Sequence, residues 1–278
     1  MRRTVRMAGA LAAAGTLIVG LGACGDDDDE AGDDGNEATE AELAGGAEDA
    51  AADSAAFCDA AVAVDAVNLE SGSGEATPED VEAAFAAAEE SAPDEVAEAV
   101  ATMVADGRAM ATEAAENPES EGPPPMPSEA FYPASAEVSA YLSDNCDVET
   151  VDVTATNYAF AGLDGPVAAG TTVLNLANEG TEFHEIVLIQ IADGEERPLE
   201  ELMALPDEEI EGVITEKGFV MVPPGAQSFT TTDLEPGRHV AICFVPVGAT
   251  PEALASGAPL AEDDGHFMHG MVTEFEVS

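Results

Sequence analysis

The chain has 278 residues, of which 46% are hydrophobic, and it carries 58 Asp plus Glu against 7 Lys plus Arg, a formal net charge of −51. That length and apolar content allow one or two domains with cores of their own and exclude disorder throughout. A polyanion whose single lysine is Lys217 has no basic patch for nucleic acid or for an anionic lipid surface.

Residues 1–23 read as a secretory signal. Arg2, Arg3 and Arg6 precede an apolar run over 7–21, which ends in Leu21-Gly22-Ala23-Cys24. The run is short for a membrane-spanning helix. Its ending resembles a bacterial lipobox, which implies cleavage before Cys24 and a diacylglycerol thioether on that residue. The mature protein is then expected outside the cytoplasm, lipid-anchored to the bacterial cell membrane. Residues 24–53 are Asp, Glu, Gly and Ala with almost no large apolar side chain, and predict a disordered acidic tether.

Residues 54–147 predict a small helical bundle. Thr77-Pro78-Glu79-Asp80 supplies an N-cap, a proline for the first turn and early acids. Pro93 starts a second helix, along which Val96, Val100, Met103, Gly107 and Met110 form one apolar stripe. Met103 and Met110 read as packing residues on that stripe rather than as thioether ligands. Weaker helical stretches cover 57–67 and 128–142.

From residue 149 the pattern changes to short β-prone runs at 151–155, 171–177, 185–191, 219–222, 227–232, 239–244 and 271–277, most of them separated by Gly, Pro, Asn or Asp turns. Seven such runs over 149–278 predict an all-β sandwich. An acidic, helix-prone insertion lies at 198–212.

Four cysteines remain to be placed. Cys24 is assigned to lipid. Cys58 and Cys146 sit at the two ends of the helical segment and, in an oxidising compartment, predict a disulfide. Cys243 is left without a partner; a metal thiolate explains it, and so does an inert buried thiol.

All four histidines lie in the β region. The informative pieces are Asn178-x-Gly-x-x-x-His184-x-Ile-Val, then Pro236-Gly237-Arg238-His239-Val240-Ala241-Ile242-Cys243, then His266-x-x-x-Gly270-Met271-x-x-x-Phe275-x-Val277. In order and placement they resemble the cupredoxins, the plastocyanin-like blue-copper family. The resemblance covers less than half the chain. It implies a Greek-key sandwich and one type 1 copper ion held by His184, Cys243, His266 and Met271. Thiolate and imidazole suit both oxidation states of copper, and a trigonal set with a weak axial thioether needs little rearrangement between them.

Two features depart from the family. Residues 244–265 form a long loop between Cys243 and His266, where relatives have a short one. His269 and Met268 offer alternative ligands beside His266 and Met271. His239, four residues before Cys243, lies too far along the strand to share one ion, at about 13 Å for roughly 3.3 Å per residue, and reads as a core or rim histidine.

The resemblance implies electron transfer with a redox partner protein, and a non-enzyme. Copper storage or delivery and a metal-free interaction module are the alternatives. Gly-x-Ser-x-Gly, P-loop and His-Glu-x-x-His motifs are absent. The one Gly-x-Gly-x-x-Gly match, beginning at Gly20, straddles the expected cleavage site and reads as chance.

Overall fold

A computed structural model describes residues 40–116, 125–258, 260–261 and 263–278, with side chains from Ser54 onward except that of Asp207. The expected signal peptide and Cys24 lie outside the described residues. Among the described residues no helix is long and apolar enough to cross a membrane.

Four helices come first: α1 (Glu40–Ser73), α2 (Pro78–Ser91), α3 (Ala97–Glu116) and α4 (Phe131–Asn145). α1 reaches back over 40–53, part of the stretch expected to be a disordered tether. Ala and Glu dominate there, and both are strong helix formers, so a segment too polar to build a core still coils. At the start of α2, Thr77 and Asp80 form a reciprocal capping box, with Pro78 in the first turn. α2 and α3 meet at Gly107, where an added Cβ would lie 2.7 Å from the Phe85 ring. Phe57, Phe85, Val96, Val100 and Leu142 fill the space between the helices. The expected disulfide is present: Cys58 in α1 bonds Cys146 at the end of α4, across 88 residues of chain. On the chain-entropy account, closing a loop of that size stabilises by on the order of 4–5 kcal/mol.

Eight strands follow: β1 (Glu149–Thr156), β2 (Ala159–Ala161), β3 (Gly170–Asn178), β4 (His184–Ile191), β5 (Ile214–Val222), β6 (Gln227–Leu234), β7 (Gly237–Ile242) and β8 (Val272–Val277). They form the expected two-sheet sandwich. One sheet has the order β2-β1-β3-β6 and the other β5-β4-β7-β8. β1 and β3 pair in parallel and the other neighbours are antiparallel. The chain passes between sheets after β3, β5 and β6, in Greek-key fashion. The inner faces supply Val153, Leu174 and Leu176 from one sheet, and Ile186, Leu188, Val222, Ala241 and Phe275 from the other.

Both outer faces are covered as well. The insertion at 198–212 forms two single-turn helices, α5 (Leu199–Leu202) and α6 (Asp207–Ile210). Leu199, Leu202 and Met203 lie over Ile191, Val240 and Ile242, so β7 is buried on both sides. The helices of 54–147 pack on the sandwich as well as on one another. Their core continues into the sheet through Val173 and Phe229, on the outward row of β3 and β6. Period-2 alternation explains this second apolar row: Leu174 and Leu176 point inward while Val173 points to the helices.

Polar groups fix that seam. Ser135 pairs with Ser228 at 2.9 Å, and Ser139 bonds Asn175. The Asp65 carboxylate of α1 accepts from the Thr231 backbone N–H at 2.6 Å and the Thr231 hydroxyl at 2.8 Å. Burial pushes the Asp65 pKa from 3.8 up to about 6, against the opposing pull of the two Thr231 bonds. The folded state therefore holds this proton more tightly than the unfolded chain. The associated stability is fully present below about 3.8 and is lost as pH rises through about 6. Asp65→Asn keeps an acceptor for Thr231 and removes the charge. Its melting temperature is expected to gain on the wild type steadily between pH 4 and 7, by thermal denaturation of both proteins across that range. A difference that stays constant with pH would show that Asp65 does not titrate there.

Candidate metal centre

Strand direction assembles the site. β7 runs antiparallel to both of its neighbours, with Ile242 paired to Val187 of β4 and to Val272 of β8. The start of β4, the end of β7 and the start of β8 therefore share one edge of the sheet. His184 opens β4, Cys243 follows β7, and His266 and Met271 precede β8. The inward parity of Ile186 and Leu188 extends to His184, that of Ala241 to Cys243, and that of Phe275 and Val277 to Met271.

Here His184 Nδ1 and His266 Nδ1 lie 3.1 Å apart, and Cys243 Sγ is 3.4 Å from His266 Nδ1. The three donor atoms fall within 4.8 Å of one another, the grouping among the described residues that could hold a metal ion. His184, Cys243 and His266 are all 0% exposed. Met271 is also buried, and its backbone joins the other two segments: its carbonyl accepts from Cys243 N at 3.1 Å and its N–H bonds His266 O at 3.2 Å. His266 itself sits in a 3-10 turn (His266–His269) that Gly270 ends with a φ of 106°.

Electrostatics favours neutral imidazoles. Burial, reinforced by the neighbouring His266, lowers the His184 pKa to about 4. Burial also lowers that of His266, against the pull of Glu182. The Cys243 thiol is pushed up to about 12 by burial and then by the nearby Glu185 carboxylate. A metal must therefore displace the thiol proton, and its charge would supply the compensation this pocket lacks.

Hydrogen-bond accounting leads to the same place. Glu182 Oε2 lies 3.0 Å from His266 Nε2. A carboxylate only accepts, so Nε2 carries the hydrogen and Nδ1 keeps its lone pair, facing His184. His184 Nε2 is buried and has no hydrogen-bond partner. If His184 donates from Nδ1, its Nε2 is a bare buried acceptor; if it does not, two lone pairs confront each other. Either tautomer leaves a buried polar group unsatisfied, which is costly. A cation between the two Nδ1 atoms and Sγ relieves the facing lone pairs, leaving the His184 Nε2–H as the one ring group of the pair without a partner. Two imidazoles and a thiolate, with no carboxylate among the converging atoms, suit copper or zinc rather than calcium or magnesium.

The other candidates lie elsewhere. His269 Nε2 bonds Asp264 Oδ1 at 2.6 Å on a partly exposed side chain, and Met268 is 59% exposed. His239 is a buried core residue stacked on Phe275 with ring centroids 5.7 Å apart. Met103 is partly buried against the helical core.

Three site residues, Glu182, Glu185 and Tyr158, were not legible from the sequence, whereas Asn178 opens the first motif. Glu182 and Glu185 are both buried, each 8% exposed. Glu185 accepts from Phe244 N at 2.9 Å while its own N–H points at Cys243 Sγ, at 3.5 Å. Asn178 ties the turn before His184, donating to Glu182 O at 2.8 Å and Val222 O at 3.0 Å. Tyr158, with a φ of 69°, holds its ring 4.9 Å from that of His266. Glu182 and Glu185 flank His184 closely, the one sequence signal that could have found them.

No protein-family model matches the chain, and no curated protein matches it. Solved structures similar to it include dithionite-reduced auracyanin from Roseiflexus castenholzii, 21% identical over 46% of this chain and 96% of that one, with a TM-score of 0.29. Auracyanin A, described as a blue copper protein of Chloroflexus aurantiacus, is 19% identical over 47% of this chain and 99% of its own, at 0.26. Reduced rusticyanin is 18% identical over 51% and 95%, at 0.28. At such scores the likeness adds nothing to what the strands and donor atoms establish by themselves.

Gly180 shows how tightly the His184 ring is seated. A Cβ there would lie 2.4 Å from Asn157 Oδ1 and 2.5 Å from His184 Nε2. Gly180→Ala is expected to cost about 1–3 kcal/mol, the usual range for overpacking, read as a lower denaturant midpoint. An unchanged midpoint would show that the turn makes room without strain.

Proposed function

We propose that the protein is an extracytoplasmic type 1 copper protein that passes electrons to a redox partner protein, held to the bacterial cell membrane by lipid on Cys24. His184, Cys243 and His266, with Met271 beside them, would hold one copper ion. The observation that carries this reading is the convergence of two imidazole Nδ1 atoms and one thiol within 4.8 Å, in a pocket closed to water. Copper bound to such donors cycles between Cu(I) and Cu(II). The chain's own part is to hold the donors still. Each ligand stands at or beside a strand end in a register fixed by hydrogen bonds, and each is fully buried. Rigid donors change little between oxidation states, which favours fast transfer over substrate chemistry. The protein is accordingly read as a non-enzyme.

Copper storage or delivery is the second reading. It is favoured by exposed Met268 and partly exposed His269, which stand beside His266 where an ion could pause on its way in or out.

Cu(II) titration of the full chain, followed by the visible spectrum, tests these readings. An intense thiolate-to-copper band is expected at one equivalent and is expected to vanish in Cys243→Ser. Copper that binds without the band and exchanges readily into a chelator would replace electron transfer with storage or delivery. No binding at all would leave an interaction module on a copper-protein scaffold.

A further inference from the structure

Resting on the copper reading above, we propose that Glu182 is a positioning residue for the site: it fixes the tautomer of His266 and, as a sealed negative charge, biases the centre toward its oxidised form. Glu182 is not a metal-facing donor. Its carboxylate meets the far side of the imidazole, at Nε2, while the metal-facing atom is Nδ1. Carboxylate, imidazole and metal site are thus in series, the arrangement by which an outer carboxylate orients a histidine ligand and raises its basicity.

The chain holds this carboxylate from several directions. Tyr158 donates its hydroxyl to Glu182 Oε1 at 3.1 Å, and the Gly248 N–H bonds Oε2. Asn178 holds the Glu182 carbonyl, and Asn157 clamps Thr181 through two bonds of 2.9 Å. Tyr158 keeps a left-handed backbone that is costly for a bulky residue, and its ring lies over both His266 and His269. Among the described residues, a carboxylate that is 8% exposed and bonded to a ligand histidine stands out. A net negative charge so close to the metal stabilises the more positive oxidation state, and low solvent access leaves it little screened.

The test compares the copper-loaded wild type with Glu182→Gln and Tyr158→Phe, reading the visible spectrum and then the reduction potential of the same samples. Glu182→Gln retains shape and an acceptor but loses the charge. It is expected to keep the thiolate band and to raise the reduced-to-oxidised ratio at a fixed solution potential about tenfold, which for one electron is 59 mV. Tyr158→Phe, which frees the carboxylate on one side, is expected to shift the ratio by a smaller factor. A Glu182→Gln protein with the band intact and a ratio within twofold of wild type overturns the proposal. Nitrogen-15 NMR of the metal-free protein gives a second, copper-independent reading. The His266 ring is expected to carry its hydrogen on Nε2 in the wild type and to populate both tautomers in Glu182→Ala; the same tautomer in both overturns the positioning role. If the band never appears, the copper reading has failed, and the tautomer measurement still decides what Glu182 does.

Discussion

Three lone-pair donors share a closed end of a β-sandwich, and much of the structure around them serves to keep them there. Two buried imidazoles 3.1 Å apart and a buried thiol form an arrangement that a folded chain does not favour for its own sake. It persists because register leaves little choice. β7 is hydrogen-bonded on both sides, so the end of β7 cannot slip relative to the start of β4 or the start of β8 without turning the inward residues of a strand outward. The cost of crowding the donors is thus met by the whole sheet.

A sheet used as a rigid frame must have both faces covered. α5 and its neighbours cover β4 and β7 on one side of the sandwich, and α1 and α4 cover β3 and β6 on the other. The helical layer is therefore part of the folding unit: Val173 belongs to its core, and Asp65, Ser135 and Ser139 tie it to β3 and β6 through polar contacts. The Cys58–Cys146 bond closes the layer at the point where the chain enters β1. In so acidic a chain, with few cations to form ion pairs, apolar seams and hydroxyl contacts carry the docking.

The strand pattern was legible because it depends on local signals, alternation and turn residues; His184, Cys243, His266 and Met271 were singled out by the motifs that resemble cupredoxins. β2 was missed because three residues are too few for alternation to register. The docking of the helical layer was not legible because the outward row of β3 holds a single large apolar residue, Val173, among Thr and Asn. Glu182 was invisible for a different reason. Its role depends on a bond to a residue 84 positions later, and one glutamate among so many acids carries no mark of its burial.

The long loop between Cys243 and His266 is the feature most at odds with the family pattern, and its geometry shows how it is accommodated. Lengthening a loop costs only about 0.6 kcal/mol per doubling. The loop is also pinned at its base, where His266 N bonds Val245 O at 2.9 Å and Val247 N bonds Asp264 O at 2.9 Å. What is closed at the metal centre is therefore a short neck, and beyond it the helix α7 (Pro251–Ser256), capped by Thr250 and ended by Gly257, packs Leu254 against the sandwich core. The neck does more than close. Ala249 accepts from Phe183 N at 2.8 Å, and Gly248 gives its N–H to Glu182. The added length thus supplies the donor that holds the carboxylate against His266, so the departure in loop length and the buried carboxylate are two parts of one local structure.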